Sequence, residues 1–260
     1  MANVNDFPFK SLQCYATAPY ACSYLEGLEA RSQVATPPQL IHAKIYSELI
    51  RVGFRRSGNF TYRPYCDHCQ ACLPSRIVVA EFVANRSQMR AQRRHDDLTT
   101  NIMPLQFIQE HFNLYHAYQQ SRHASPLDQD GEHTLQDEES QYREFLIHSQ
   151  IDSYLVEFRE QGILKMVSVI DAVSDGLSSV YTFYDTQDPH SSYGTYGILW
   201  QIKTARELKL PYVYLGYYIQ NSRKMSYKAK FKPLEALIRD TWQLLPQSSQ
   251  MPPLDPESLA

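Results

Sequence analysis

The chain has 260 residues, of which 43% are hydrophobic, enough for one large folded unit or two closely packed smaller ones. The formal net charge of -3 at pH 7 excludes a generally basic protein, so any contact with RNA must come from a local patch. The start, MANVNDFPFK, lacks the basic and apolar regions of a signal peptide, and no apolar run approaches the about 20 residues of a membrane span. We therefore expect a cytoplasmic protein with no membrane partner.

Apolar residues at helical spacing predict, in chain order, helices at residues 38–56, 85–95, 105–120, 197–208 and 234–245. Alternating or β-branched runs predict strands at residues 77–83, 154–158, 164–170, 179–184 and 212–218. The three strands between residues 153 and 185 are separated by short turns, which predicts an antiparallel meander followed by a helix and a further strand. The acidic segment 128–139 is expected to be an exposed connection that ends in a helix start at Thr134. The proline-rich tail 246–260 is expected to be disordered.

Three cysteines have the spacing Cys66-x2-Cys69-x2-Cys72 in the loop before the first predicted strand. Thiolates three residues apart can share one tetrahedral zinc ion or one iron of an iron–sulfur cluster. A fourth ligand is needed, and the candidates are Cys14, Cys22 and His68. The alternative is a metal-free loop of reduced, partly buried thiols, so the sequence leaves the metal content open.

The segment RKMSYKAKFK, residues 223–232, has five cations in ten residues and no acid, interleaved with two aromatic residues. This mixture suits a phosphodiester backbone and the stacking of an unpaired base, although an ordinary basic loop is the alternative. The candidate RNA-binding residues are Lys224, Lys228, Lys230 and Lys232. Arg90, Arg93 and Arg94 of the second predicted helix are candidates to extend this patch.

Two further positions are candidates for chemistry. Asp185 follows Tyr184 at the end of the predicted meander, where a carboxylate can orient or deprotonate an amine or simply cap a turn. The segment 194–197, GTYG, precedes a predicted helix, whose free amides can bind a phosphate. Helix starts with glycine are common, so this second signal is weak.

These segments resemble the aminoacyl-tRNA–protein transferases of the N-degron pathway, in particular the bacterial aspartate/glutamate leucyltransferases. The matching segments are CSYL (22–25), EARSQV (29–34), YRPYCDHCQACLPSR (62–76), FYD (183–185), GTY (194–196), GYYI (216–219) and SRKMSYK (222–228). The related eukaryotic arginyltransferases have paired cysteines where this chain has Leu25 and Ala71. A metal site can therefore not be carried over from them.

The resemblance implies an α+β fold. A region like the GCN5-related acetyltransferases, with a mixed, mainly antiparallel sheet, is expected over residues 101–245, after a cysteine-bearing region over residues 1–100. It also implies transfer of leucine from leucyl-tRNA to the α-amine of proteins that begin with Asp or Glu, which marks them for degradation. No cofactor is required for this reaction, although zinc or an iron–sulfur cluster at the cysteine loop stays open.

Roles follow from this implied reaction. Asp185 with Tyr184 is expected to orient the amine, and the four lysines named above are expected to contact tRNA. Arg76, or as second choice Arg31, is expected to bind the acceptor's acidic side chain, because a guanidinium matches a carboxylate; an internal ion pair of Arg76 is the alternative. The rival functions are an arginyl-tRNA–protein transferase, a coenzyme A-dependent N-acetyltransferase and a non-catalytic, metal-dependent RNA-binding module.

Overall fold

The structure is a computed structural model that describes residues 12–123, 135–222 and 224–245. Its strands are β1 (Gln13–Ala16), β2 (Tyr20–Ala21), β3 (Glu29–Ala30), β4 (Ser32–Thr36), β5 (Arg55–Ser57), β6 (Phe60–Pro64), β7 (Leu73–Val78), β8 (Thr99–Pro104), β9 (Ser153–Glu160), β10 (Ile163–Val173), β11 (Gly176–Tyr184), β12 (Tyr212–Tyr218), β13 (Leu234–Ile238) and β14 (Thr241–Leu244). Its α-helices are α1 (Ala43–Arg51), α2 (Arg86–Arg94), α3 (Gln109–His123), α4 (Leu135–Tyr142) and α5 (Tyr193–Glu207). A 3₁₀ turn spans Pro38–Leu40, a second spans Ser226–Lys230, and a π-helical turn spans Arg143–Ile147. No helix in these ranges is long and apolar enough to cross a membrane.

The largest sheet has eight strands in the order β14-β13-β7-β12-β11-β10-β9-β8. Its neighbours run antiparallel, except for the parallel pair β11 and β12. A smaller sheet has the order β1-β4-β6-β5, and β2 pairs with β3. The chain is thus a mixed α+β protein with a mainly antiparallel sheet, as expected. Strand β7, from the first 100 residues, lies between β12 and β13, so the large sheet includes a strand from the cysteine-bearing part of the chain.

Strands β11 and β12 diverge after a short parallel pairing. They pair from Gly176 and Tyr212 to Ser178 and Tyr214. Beyond this point β11 continues beside β10, whereas β12 continues beside β7. A bulge in β12 at the point of divergence, between Tyr214 and Gly216, increases the local twist. The C-terminal halves of the two strands are therefore splayed apart.

The predicted meander, the helix over residues 85–95 and the strand over residues 212–218 are confirmed by β9 to β11, α2 and β12. A turn with positive φ at Gln161 and Gly162 joins β9 to β10, as their sequence suggested. Helix α2 begins with a capping box, because the Asn85 side chain accepts hydrogen bonds from the Ser87 and Gln88 amides, and the Gln88 side-chain oxygen accepts one from the Asn85 amide. Helix α5 begins four residues earlier than predicted and α3 four residues later.

Other predictions were wrong. The closing helix over 234–245 is a hairpin of β13 and β14, because Arg239 and Asp240 both adopt positive φ and reverse the chain in a tight turn. The helix over 38–56 is limited to α1, since Gly53 at φ 92 ends it and β5 follows. The strand over 77–83 begins earlier, at Leu73, because pairing with β12 reaches that residue. Thr134 and the tail 246–260 lie outside the described residues.

The core lies on both faces of the large sheet. On one face, α5 packs on strand residues such as Phe158, Met166 and Val213. On the other, Tyr46 and neighbouring residues of α1 pack near Tyr214, and α3 packs through Phe112 near Phe183. Full burial of such a side chain contributes about 1.5–3 kcal/mol. The packing fixes the strand ends at which the charged groups described below converge.

Candidate active site

A polar cavity of about 330 Å³ lies at one edge of the large sheet, and we call it the edge cavity. It is formed where β9 and β11 end and where β10, α5 and the loop before α5 begin, with the end of α2 as a further wall. The lining residues are Arg94, His95, Glu160, Lys165, Asp185, Gln187, Asp188, Ser191 and Tyr193. The cavity therefore combines cations, carboxylates and a tyrosine in a small volume.

Asp185 and Lys165 form an ion pair in the edge cavity. Lys165 Nζ donates to Asp185 Oδ2 at 2.9 Å, and the Gln187 amide donates to Asp185 Oδ1 at 3.0 Å. Burial by itself raises the pKa of Asp185, but the Gln187 amide and the Lys165 ammonium stabilise the ionised form and hold its pKa below the usual value. Chiefly through the same hydrogen bond, the pKa of Lys165 is raised. Asp185 is therefore an anion at neutral pH and a weak base, better suited to orient an amine than to deprotonate it.

Tyr193 and His95 form a second side of the cavity. The two rings stack with their centroids 4.4 Å apart, and His95 Nε2 donates to the Ser191 carbonyl oxygen, which fixes the position of the imidazole. Burial raises the pKa of Tyr193, and the charges of Lys165, Glu160, Asp185 and Asp188 also act on it. The Tyr193 hydroxyl is therefore neutral near pH 7 and can donate a hydrogen bond, and it interacts electrostatically with these four charged groups.

Asp185 and Tyr184, which the sequence predicted to act together, do not both line the cavity. Asp185 does, whereas Tyr184 is not among the residues around it. Its ring meets Tyr118 edge to face at 4.9 Å and lies beside the first turn of α5, where a Cβ on Gly194 would be 3.6 Å from it. Successive residues of a strand point to opposite sides, which explains the separation. Gly197 of the weak phosphate motif lies inside α5 and packs against Met166, so it serves close packing of helix and sheet.

Arg76 lies in the internal ion pair that the sequence left open as the alternative. Its Nε donates to Glu235 Oε2 at 2.7 Å, and its guanidinium carbon lies 3.6 Å from the centroid of the Tyr212 ring and 4.2 Å from that of Trp242. Arg31 pairs with Asp67 of the cysteine loop, with Nε 3.1 Å from Oδ2. Neither arginine lines the edge cavity.

The predicted RNA-binding lysines divide into two groups. Lys224, Lys230 and Lys232 are exposed. Lys228 is only 5% exposed, and its Nζ donates to the Tyr217 carbonyl oxygen at 2.6 Å. Burial, assisted by the nearby Arg55 charge, lowers the pKa of Lys228 to about 7. Lys228 is therefore an interior group beside the splayed strands and not part of an exposed cationic surface.

The exposed lysines and the exposed arginines of α2 lie on two segments in contact with each other, and we call these six residues the basic surface: Arg86, Arg90, Arg93, Lys224, Lys230 and Lys232. All six are exposed. The two segments meet because Gln88 of α2 donates to the Lys230 carbonyl oxygen at 3.1 Å and Phe82 stacks on Phe231. The other end of α2 carries Arg94 and His95 into the edge cavity. A helix of nine residues is about 13 Å long, so α2 connects the basic surface to the cavity over that distance.

The cysteine loop brings Cys22 close to the triplet. Burial raises the pKa of Cys72 to about 12, and Cys69, Cys66 and Cys22 contribute to that increase. Cys14 lies instead on β1. Within residues 12–123, 135–222 and 224–245, however, no three His, Cys, Asp or Glu side chains are placed to hold a metal ion. The thiols as arranged do not fit a metal, and no step of the chemistry below depends on one.

Lys165 and Tyr193 are site residues that sequence reasoning missed. The sequence does mark Lys165, because it is a charged residue within the mainly apolar run of β10. A register counted back from the Val173 and Gly176 turn would have placed Asp185 within one residue of it. Tyr193 is the first residue of α5 and precedes the predicted start of that helix at residue 197, so helical spacing does not identify it.

The fold and the cavity define a mixed α+β protein with a charged site at a strand edge and an adjoining cationic helix. The pattern described as "Arginine-tRNA-protein transferase, N terminus" matches residues 20–90, and the one described as "Arginine-tRNA-protein transferase, C terminus" matches residues 110–238. The chain belongs to the arginine-tRNA–protein transferase family.

Relatives with high sequence identity agree with this assignment. An aspartate/glutamate leucyltransferase of Polynucleobacter necessarius is 53% identical over 94% of this chain and 97% of its own length. Those of Nitrosospira multiformis and Pseudomonas fluorescens are 53% and 43% identical, over 97% and 90% of this chain and 98% and 97% of their own lengths. Among solved structures, L-PGS of Bacillus licheniformis aligns with a TM-score of 0.44 and 12% identity over 67% of this chain and 58% of its own. FemX aligns with a TM-score of 0.40 and 11% identity over 81% of each chain.

Proposed function

We propose that the protein transfers leucine from leucyl-tRNA to the α-amine of proteins that begin with Asp or Glu and thereby marks them for degradation. The names of relatives that are 53% identical over nearly the whole chain support the donor and the acceptor. The structural observation that carries the proposal is the position of α2, with its arginines in the basic surface and its last residues in the edge cavity. Because its substrates are charged tRNA and newly exposed protein ends, the reaction belongs in the cytoplasm.

The reaction uses an ester that is already activated. The acceptor's amine nitrogen attacks the ester carbonyl carbon and forms a C–N bond, and the bond from that carbon to the ribose oxygen breaks. One amine proton passes to this departing oxygen, which leaves as the ribose hydroxyl. The α-amine has a reference pKa of about 7.7–8.0, so a substantial fraction is the free base near neutral pH. A strong base and a cofactor are therefore unnecessary, and alignment of the two groups is the main contribution of the enzyme.

Asp185 is the residue proposed to align the amine. Its carboxylate is ionised, faces the cavity and retains acceptor capacity beyond the bonds from Lys165 and Gln187. Tyr193 lines the same cavity, and its hydroxyl is proposed to donate to an oxygen of the substrate. Tyr184, beside the first turn of α5, supports the wall next to the cavity and is proposed to act by packing.

The basic surface is proposed to bind the acceptor stem of the tRNA. The charge on each exposed arginine or lysine attracts backbone phosphates and releases counterions on binding. A stem lying along α2 would bring its 3′ end toward Arg94 and the cavity. Lys224, Lys230 and Lys232 keep the role expected from the sequence, whereas the buried Lys228 does not contact phosphates in this arrangement.

The sheet also supports the finer fold assignment expected above. A meander of antiparallel strands, a helix, and a strand that pairs in parallel and then splays is the arrangement expected of a GCN5-related acetyltransferase-like fold. We infer that the C-terminal region has this fold, with α5 between the splayed strands β11 and β12.

One assay tests the proposed reaction. The purified protein is incubated with a peptide that begins with Asp, Glu or Gly. Separate reactions supply tRNA charged with labelled leucine, arginine or phenylalanine, or labelled acetyl-CoA. We expect label on the Asp-starting and Glu-starting peptides from leucyl-tRNA, and none on a peptide of the same composition that begins with Gly. Label from arginyl-tRNA in place of leucyl-tRNA would change the donor, and label from acetyl-CoA alone would overturn the proposal.

A further inference from the structure

We infer that the edge cavity is the pocket that reads the acceptor's first residue, with Lys165 and Arg94 binding its acidic side chain and Asp185 and Glu160 binding its α-amine. This assignment rests on the proposed transfer to proteins with N-terminal Asp or Glu. It gives the acceptor's carboxylate a different partner from Arg76 and Arg31, which pair with Glu235 and Asp67 outside the cavity.

The charge pattern of the cavity matches the ligand. An N-terminal Asp or Glu presents an amine and a carboxylate only a few bonds apart, so its pocket needs both signs of charge at close range. The edge cavity has cations at Arg94 and Lys165 and carboxylates at Glu160, Asp185 and Asp188. A site for phosphate groups alone would not need three carboxylates, because like charges on ligand and protein repel.

Lys165 has bonding capacity left for the acceptor. An ammonium has three donors, and one of these reaches Asp185. The side chain is 20% exposed, so a ligand in the cavity can approach it. Lys165 also lies close enough to the amine holder, Asp185, for one residue to span both.

Arg94 is the second cation proposed to bind the acceptor's carboxylate, and Glu160 is the second carboxylate proposed to bind its α-amine. Arg94 donates to the His190 carbonyl oxygen, and its guanidinium is 3.9 Å from Asp188 in a pair whose side chains are each about half exposed. Such an exposed pair is weak, so a second carboxylate can share this guanidinium. Glu160 forms no ion pair within the described part of the chain, and its carboxylate is available to an ammonium.

The size of the cavity limits what can enter. A volume of about 330 Å³ is at the small end for ligand pockets. It accommodates the end of a chain and excludes a folded segment, which agrees with recognition of the first residue alone.

The test is a double-mutant cycle between the protein and the peptide. Two peptides that differ only in Asp or Asn at the first position are compared by KM or, where transfer is too slow, by their inhibition constants. In the wild type we expect the Asp peptide to bind about 10- to 100-fold more tightly, the range of one charge-assisted hydrogen bond. In Lys165→Gln this preference should fall to near one, and Lys165→Arg should restore part of it.

Two further variants guard against a purely structural effect. The Arg94 side chain is half exposed, so Arg94→Gln should lower the preference for the Asp peptide without changing the thermal midpoint of the protein. If Lys165→Gln does not fold, the Arg94→Gln result alone tests the assignment. Lys44→Gln, an exposed lysine of α1, should keep the wild-type preference. An unchanged Asp preference in the folded Lys165 and Arg94 variants would overturn the assignment. Failure of the proposed function is distinguishable, because the wild type would then transfer no leucine to either peptide.

Discussion

Lys165 and Asp185 face each other across β10 and β11, with Nζ 2.9 Å from Oδ2, although they are 20 residues apart in the chain. The pair places a fixed anion and a cation together at the edge of the sheet. Together with the hydrogen bond from the Gln187 amide, the Lys165 ammonium lowers the pKa of Asp185 and keeps its carboxyl group ionised. The contact therefore connects the fold of the meander directly to the proposed handling of the acceptor.

Replacing Asp185 by Asn should impair use of the acceptor and leave tRNA binding intact. The amide keeps the shape of the side chain but lacks the charge that holds an ammonium. We expect kcat/KM for an Asp-starting peptide to fall about 10- to 100-fold, which corresponds to the loss of one hydrogen bond to a charged group. Steady-state kinetics with varied peptide, together with the Kd for leucyl-tRNA, measure the two effects. Asp152→Asn, at an exposed carboxylate, is the matched control, and equal losses in both variants would contradict the role of Asp185.

The sequence predicted the elements around the site better than its contacts. The meander and α2 were predictable because their periodicity is strong and their turns or caps are local. The hairpin of β13 and β14 was mistaken for a helix, since Leu234, Leu237 and Ile238 also fit helical spacing and the strand pairing with β7 is not visible in a local window.

The same limit applies to the charged residues. Lys228 and Lys230 carry the same formal charge and belong to the same 3₁₀ turn, but the Lys228 side chain is buried whereas that of Lys230 is exposed. Arg76 was ambiguous because its partner, Glu235, lies 159 residues further along the chain. Charge and motif select candidate residues, whereas which of them face a common cavity depends on long-range register.

Neutral substitutions in the basic surface should flatten the salt dependence of tRNA binding. Arg90→Gln and Lys230→Gln each remove one cation that contacts backbone phosphate in the proposed complex. We expect the slope of log Kd against log salt concentration to become less steep by about 0.7–0.9 for each substitution, with additive effects in the double variant. Filter binding of leucyl-tRNA at several salt concentrations gives the slope. Lys44→Gln, on the opposite face of the sheet, should retain the wild-type slope, and a wild-type slope in the double variant would remove this surface from the tRNA site.

Arg76→Ala should act on stability. The substitution leaves Glu235 without its cation and removes the contacts with Tyr212 and Trp242. Breaking a largely buried pair costs about 3–5 kcal/mol, so we expect a clear fall in the free energy of unfolding. Urea denaturation measures it. The double variant Arg76→Leu with Glu235→Leu should recover part of the loss, because no uncompensated charge remains. Full stability of Arg76→Ala combined with lost transfer to Asp-starting peptides would instead place the guanidinium at the acceptor.

Lys228 should make stability depend on pH above neutrality. In the unfolded chain the pKa of a lysine is about 10.4, whereas burial lowers the pKa of folded Lys228 to about 7. Between these values the unfolded state binds more protons than the folded state, so the contribution of Lys228 to stability rises with pH and is fully lost below pH 7. Methionine does not bind a proton, so the stability of Lys228→Met lacks this contribution to the pH dependence.

The free energy of unfolding of wild type and Lys228→Met, measured in urea at pH 6, 7, 8 and 9, gives the comparison. We expect the advantage of the variant over the wild type to be constant from pH 6 to 7 and then to shrink by up to about 1.4 kcal/mol for each pH unit. Cysteines and tyrosines titrate in both proteins, so their effect on the free energy of unfolding cancels when the value for the wild type is subtracted from that for Lys228→Met. Lys44→Met, at an exposed lysine, should follow the wild type at every pH. Parallel curves for Lys228→Met and wild type would show that Lys228 stays charged when folded, with an anion that compensates its burial.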